Sequence, residues 1–257
     1  MKSKIVKISV IGCGWLGFPM CESLQAGGYN VTTTASNVSK KMGLDPNFKT
    51  ILFDIKTDLV EESLINTDVI IYTIPPLGLK ELEVFLKTVH ADQKIIFISS
   101  TSVYGKSLGD CNEDTPLSPD TRNGKLLVES ENFLHQNFKN TTILRPGGLF
   151  GEFNHHLRHP IHFLKGKKDL TNGSEWLHLV DGRDCIKAIL KIIENDLWNE
   201  DINLINDLRV KKSDYYPQIA KNLQLEVPHY LNHQLLNPTK ISNQKSKKLL
   251  NIIYNNV

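Results

Sequence analysis

The stretch Ile8-Ser9-Val10-Ile11-Gly12-Cys13-Gly14-Trp15-Leu16-Gly17 decides the fold. A short apolar run breaks into Gly-x-Gly-x-x-Gly, and an amphipathic segment follows at once, with Leu16, Met20 and Leu24 four residues apart. The pattern predicts a strand, a tight turn and the start of a helix. Gly12 permits the turn, Gly14 lets a bound pyrophosphate approach the backbone, and Gly17 lets the helix pack closely on the strand. The helix N-terminus then offers free N–H groups to the phosphates. Together with Trp15 and Leu16, these glycines are read as a dinucleotide-binding turn. A Gly-rich turn between two packed elements accounts for one glycine, but not for three at this spacing.

The 257 residues suit one domain with an appendage or two small lobes, and a hydrophobic content of 40% supplies a sizeable core. The net charge of +2 implies neither nucleic acid nor a membrane surface as a partner. No apolar run approaches the length of a bilayer span, and Met1–Lys7 holds no long apolar block, so neither a membrane segment nor a leader is expected. Cys13, Cys21, Cys111 and Cys185 show no Cys-x-x-Cys spacing and read as reduced thiols of a cytoplasmic protein.

Outward from the turn, strand-like runs at Ile5–Ile11, Tyr29–Thr34, Thr50–Phe53, Val69–Ile74, Lys94–Ser99 and Thr142–Arg145 alternate with helical patterns. Several runs are continuously apolar, as expected for parallel strands buried on both faces. Leu79, Leu82, Phe85, Leu86 and Val89 form one helical stripe, and Leu126, Leu127, Phe133, Leu134 and Phe138 form another. This alternation predicts an α/β, doubly wound parallel sheet of Rossmann type with a small C-terminal substrate lobe. Residues 1–150 are expected to form the NAD(P)-binding domain, with 178–205 returning to it. Residues 151–177 and 206–257 are expected to form the lobe, over the carboxyl ends of the strands. Later elements include a helix around Ile186–Ile193, a strand at Ile202–Ile205, and helices over Ser213–Leu223 and Ser242–Leu250. Pro217 is expected to start the first of those two helices, and Ser242 to cap the second.

The second strand ends at Thr34-Ala35-Ser36-Asn37, where a NAD site usually carries an acidic residue for the ribose hydroxyls. None is present. Ser36, Asn37 and the nearby Lys40 and Lys41 suit a 2′-phosphate, which tilts the cofactor reading toward NADP over NAD; both lysines could instead be solvated helix residues, the better reading for Lys41. Asp54 and Ile55 follow the third strand, where an aspartate can bind the adenine amino group or merely cap the loop. Ile74-Pro75-Pro76 ends the fourth strand and either walls the cofactor or only stops the strand.

Further landmarks follow in order: Ser99-Ser100-Thr101-Ser102-Val103-Tyr104-Gly105, Arg145-Pro146-Gly147-Gly148-Leu149-Phe150-Gly151, Leu177-His178-Leu179-Val180-Asp181-Gly182-Arg183-Asp184 and Ser242-Asn243-Gln244-Lys245. With Gly12–Gly17, these resemble the landmarks of extended short-chain dehydrogenase/reductases, the NAD-dependent epimerase/dehydratase family, over nearly the whole chain. The resemblance implies a Rossmann domain, a substrate lobe and a catalytic Ser/Thr, Tyr and Lys. Ser100 falls at the Ser/Thr position, and Ser99 and Pro146 fall beside the cofactor. The Tyr-x-x-x-Lys motif aligns with Thr121-Arg122-Asn123-Gly124-Lys125, so Lys125 matches the lysine that binds the nicotinamide ribose while Thr121 replaces the tyrosine. A phenol with a reference pKa of about 10 is brought toward neutrality by a nearby ammonium; an aliphatic hydroxyl is not. Losing a positioned acid or base forfeits about 10²–10⁴-fold in rate. The pattern looks most like an atypical, YeeZ-like subgroup that keeps the cofactor motif and lacks most standard catalytic residues. Tyr104 is the nearest alternative phenol, with packing as its competing role.

His155, His156, His159 and His162 form a dense run, but Pro160 disfavours a helix and no carboxylate or cysteine stands nearby, so no metal is expected. His178 reads as structural and Trp176 as packing. The expectation is an oxidoreductase or epimerase-like enzyme acting on a small hydroxylated or nucleotide-sugar substrate. The alternative is a non-catalytic NAD(P)-binding sensor or scaffold. The resemblance also suggests a homodimer through the helix carrying Lys125, although its apolar stripe equally suits core packing.

Overall fold

The computed structural model describes residues 5–153, 155–232 and 234–255. Residues 1–4, part of the N-terminal stretch read above as lacking a leader, lie outside the described residues. In chain order the strands are β1 (Lys7–Ile11), β2 (Asn30–Ala35), β3 (Lys49–Leu52), β4 (Val69–Tyr72), β5 (Lys94–Ile98), β6 (Asp110–Cys111), β7 (Asn140–Pro146), β8 (Gly148–Phe153), β9 (His156–Arg158), β10 (Leu179–Asp181), β11 (Asp201–Leu204) and β12 (Lys240–Ile241). The α-helices are α1 (Gly17–Ala26), α2 (Val38–Met42), α3 (Glu62–Ile65), α4 (Leu79–Leu86), α5 (Arg122–Asn137), α6 (Gly182–Glu194), α7 (Lys212–Asn222) and α8 (Gln244–Leu250).

The main sheet has seven strands in the order β3-β2-β1-β4-β5-β7-β11. The pairs from β3 through β7 are parallel, with Val10 opposite Thr33 on one side of β1 and opposite Ile71 on the other. Ile8, Val10, Ile11, Ile70, Ile71, Ile95, Ile96, Ile143 and Leu144 are fully buried, because flanking helices cover such strands on both faces. The chain winds one way from β1 to β3 and the other way from β4 onward. The crevice at the carboxyl ends of β1 and β4 is therefore the topological switch point, where ligands bind in open α/β sheets. The sheet is the doubly wound parallel architecture expected from the alternating runs.

The chain divides into two compact units. The first holds residues up to Ser99, Lys125–Leu144 and Ile186–Asp201; the second holds Ser100–Gly124, Arg145–Cys185 and the chain from Ile202 onward. Within the second unit, β8 pairs in parallel with β10 and antiparallel with β9, and β6 pairs in parallel with β12. Its core gathers Phe150, Ile161, Leu177, Leu179, Tyr216 and Ala220. All four cysteines are free thiols. No helix among the described residues is long and apolar enough to cross a membrane.

Two late helices differ from expectation. Helix α7 begins at Lys212 and carries Pro217 inside it, not at its start. Burial of Tyr216 and Ala220 against Ile161 and Leu177 outweighs the backbone hydrogen bond that Pro217 cannot donate. Helix α8 begins at Gln244, and Ser242 Oγ accepts the Gln244 N–H at 3.2 Å from one position before the cap. Asn243 occupies the cap, but its side chain donates to Ile205 C=O and to Asp207 Oδ1, both at 2.9 Å.

Pro217→Ala restores an N–H toward the Ser213 carbonyl. Allowing for a more flexible unfolded chain, it is expected to stabilise the protein by about 1–2 kcal/mol in thermal or urea unfolding. A loss of stability contradicts this account of α7.

Candidate functional site

The turn after β1 is held by two threonines from neighbouring strands. Thr34 Oγ1 accepts the Gly12 N–H at 2.9 Å, and Thr34 C=O accepts the Cys13 N–H at 3.1 Å. Thr73, just past β4, donates its hydroxyl to Gly12 C=O at 2.5 Å. Gly12 has φ +105°, a conformation that suits glycine, and a Cβ there would stand 2.8 Å from Thr73 Oγ1. A Cβ at Gly17 would overlap the Gly12 carbonyl oxygen, whereas one at Gly14 would meet nothing within 4 Å. Gly12 and Gly17 therefore close the turn, and Gly14 presents bare backbone to open space.

That space is a cavity of about 400 Å³ within the first unit. It gathers Gly12, Gly14, Ser36, Lys40, Asp54, Ile55, Ile74 and Pro75 from the sequence reading, and adds Cys13, Thr34, Lys56 and Thr73. Lys40 Nζ donates to Ser36 Oγ at 3.0 Å. Asp54 Oδ1 accepts the Lys56 N–H at 3.0 Å. Trp15, Leu16, Gly17, Asn37 and Pro76 adjoin lining residues without lining the cavity; Asn37 caps α2, its Oδ1 accepting the Lys40 N–H at 2.9 Å. Ser99 donates to buried Glu131 of α5, and Lys125 is exposed on the same helix. Pro146 is buried at the end of β7.

A second cavity, about 440 Å³, lies wholly within the second unit. Ser100 and Thr121 line it, and each hydroxyl is set by a local backbone bond. Ser100 Oγ accepts the Ser102 N–H at 3.2 Å, and Thr121 Oγ1 accepts the Gly124 N–H at 3.0 Å, which caps α5. Both hydroxyl protons stay available to a ligand oxygen. The opposing wall brings Asn172, Glu175, His178, Lys212 and Thr239. Lys212 pairs with Glu175 at 2.5 Å, and Lys106 pairs with Asp120 at 3.6 Å, so the cavity balances its own charges. Among the described residues, Asn172 Oδ1 is buried without a protein hydrogen-bond partner. Most of these residues come from loops with no periodic signal, Lys212 opening α7, and the sequence reading passed over all but His178.

Tyr104 does not line this cavity. It is fully buried, its hydroxyl donates to Asn203 Oδ1 at 2.9 Å, and it accepts from Arg145 Nη1 at 2.9 Å. Burial pushes the phenol up to about 12, against the lowering effect of Arg145. Asp181 binds the Arg183 guanidinium and backbone, and Asp184 holds Asn255, so the late aspartates are tied into structure. In the histidine run, His159 stacks on Tyr215 and accepts the Ile161 N–H at 3.1 Å. Burial lowers its pKa to about 4. No group of three or more His, Cys, Asp or Glu among the described residues is placed to hold a metal ion. Trp176 lies under Lys211, whose Nζ is 3.5 Å from the ring centroid.

The chain matches the model of the NAD dependent epimerase/dehydratase family over residues 77–204. It is also 34% identical over 249 residues to Protein YeeZ of Escherichia coli (strain K12), covering 88% of this chain and 87% of that protein. The chain belongs to the NAD dependent epimerase/dehydratase family. Solved structures with the same fold include a functionally unknown conserved protein from Silicibacter pomeroyi, with TM-score 0.77 and 18% identity, covering 96% of this chain and 93% of that one. Another is the UDP-glucuronic acid 4-epimerase from Bacillus cereus in complex with NAD, with TM-score 0.73 and 22% identity, covering 95% of this chain and 90% of that one.

The glycine geometry gives a paired test. Gly14→Ala is expected to leave thermal stability near that of the parent while weakening binding of ADP-ribose by at least about tenfold, because the methyl enters the cavity. Gly17→Ala is expected to lower stability by about 1–3 kcal/mol, because the turn must move to relieve the overlap. Equal effects of the two changes on stability contradict this division.

Proposed function

We propose that this member of the family is an NAD(P)-linked oxidoreductase or epimerase-like enzyme that acts on an alcohol or carbonyl carbon of a small hydroxylated substrate. The first unit's cavity would hold the dinucleotide. Its open Gly14 backbone suits a pyrophosphate, and the absence of side-chain atoms there is the observation that fits the group. Ser36, Lys40 and Lys56 favour NADP, since two ammonium groups line the cavity and no carboxylate ends β2. When bound, the nicotinamide supplies a hydride acceptor or donor.

The second unit's cavity would hold the substrate, and the joint presence of Ser100 and Thr121 on its wall carries this reading. Ser100 Oγ already accepts a backbone N–H, which leaves its proton to be donated to the reacting oxygen. Thr121 contributes a second hydroxyl donor that does not ionise at neutral pH. Lys125 would bind the cofactor ribose, as the family resemblance implies. Because Lys106 and Lys212 are already paired with carboxylates, the wall favours neutral hydroxyls over a free anionic group. The cap bond that occupies Thr121 also favours a second reading, a cofactor-binding sensor without turnover.

Two measurements test the proposal. NADPH is expected to bind more tightly than NADH, and Lys40→Ala to weaken NADPH about tenfold while sparing NADH. Tighter NADH binding contradicts the preference. Nicotinamide absorbance, with product analysis for epimerisation, should report turnover on a panel of nucleotide sugars and small carbonyls. Lys125→Ala is expected to abolish that turnover and Thr121→Tyr to raise it. No turnover across the panel, with cofactor binding intact, favours the sensor.

A further inference from the structure

We propose that His178 presents a fixed Nδ1–H hydrogen-bond donor to an oxygen of the ligand in the second unit's cavity, beside the hydroxyls of Ser100 and Thr121. The proposal rests on reading that cavity as the substrate site. The ring lines the cavity, and its Nε2 accepts the backbone N–H of Ile241 in β12 at 3.1 Å. A backbone N–H can only donate, so Nε2 must carry a lone pair. In a neutral imidazole the proton then sits on Nδ1. Among the described residues, Nδ1 has no acceptor, and it is not one of the buried polar atoms sealed from solvent without a partner.

Charge and burial keep the ring neutral. The charged groups acting on it are Lys212, Arg209 and Lys211, all cations, and with desolvation as the largest cause they lower its pKa to about 3. The acidic neighbour Glu175 is paired with Lys212. A neutral imidazole N–H polarises a carbonyl or holds a hydroxyl without giving up its proton. That role complements the hydroxyl donors of Ser100 and Thr121. No bond to hydrogen breaks at His178; the ring orients and polarises.

The test separates a donor from a prop for β12. Long-range ¹H–¹⁵N correlation spectra of the full chain are expected to show the Nδ1–H tautomer at His178, with no titration between about pH 5 and 8. UDP-glucose, UDP-glucuronic acid and free glucose are then titrated in turn. A probe that shifts the Ser100 and Thr121 amides is expected also to shift the His178 Nδ1–H. For that probe, His178→Gln, which keeps an acceptor within reach of Ile241 but places no N–H at the Nδ1 position, is expected to weaken binding about tenfold. His178→Asn, which keeps a donor near the Nδ1 position, is expected to stay within about threefold of the parent. An Nε2–H tautomer, a titrating ring, or the reverse order of the two variants overturns the inference. If a probe moves the amides but not the Nδ1–H, this inference alone fails. If no probe moves those amides, the substrate reading of the cavity fails and this inference falls with it.

Discussion

The first unit depends on how tightly the chain turns after β1. Two threonine hydroxyls, from Thr34 in β2 and Thr73 just past β4, hold Gly12 by its N–H and its C=O. No side chain fits at Gly17 against the Gly12 carbonyl, so α1 starts directly over the strand. These constraints fix where the N-terminal N–H groups of α1 stand and leave Gly14 as the only one of the three glycines facing open space. The register of β2 and β4 on either side of β1 therefore does more than build a sheet. It brings into place the hydroxyls that shape the cavity beside the turn.

Much of this was legible because parallel strands buried on both faces leave a strong trace. Ile70-Ile71 and Ile95-Ile96 lie in continuous apolar runs with one plausible placement. The residues Ser36, Asp54 and Ile74 were also readable, because in this sheet the carboxyl end of each strand marks the same edge. Pro217 misled the reading: local backbone chemistry says that a proline starts a helix, whereas the burial of Tyr216 and Ala220 extends α7 past it. The wall of the second cavity was the least legible part. Asn172, Glu175 and Thr239 come from loops and Lys212 from the first residue of α7, and an ion pair such as Lys212–Glu175 leaves no periodic mark.

Position 121 shows how a local need and a chemical role can meet in one residue. A helix beginning at Arg122 needs a cap for its free N–H groups, and threonine supplies one that bonds Gly124. A tyrosine there cannot make the same short bond. Threonine at this position thus serves as a helix cap, while Tyr104 is held in a buried network with Arg145 and Asn203 and does not line the cavity. What remains around Ser100 is a set of neutral donors and internally balanced charges. Such a wall orients and polarises a ligand oxygen better than it exchanges protons with it.

The most direct test of the central claim, that the Gly12–Gly17 turn cradles a dinucleotide, is hydrogen–deuterium exchange of the full chain with and without saturating NADPH. The account expects slowed exchange in the turn after β1, at the end of β2 around Ser36, in the Asp54–Lys56 loop and around Thr73–Leu77, the segments that line the first cavity. Binding of NADPH that leaves these segments unprotected, or protects only segments elsewhere, contradicts it.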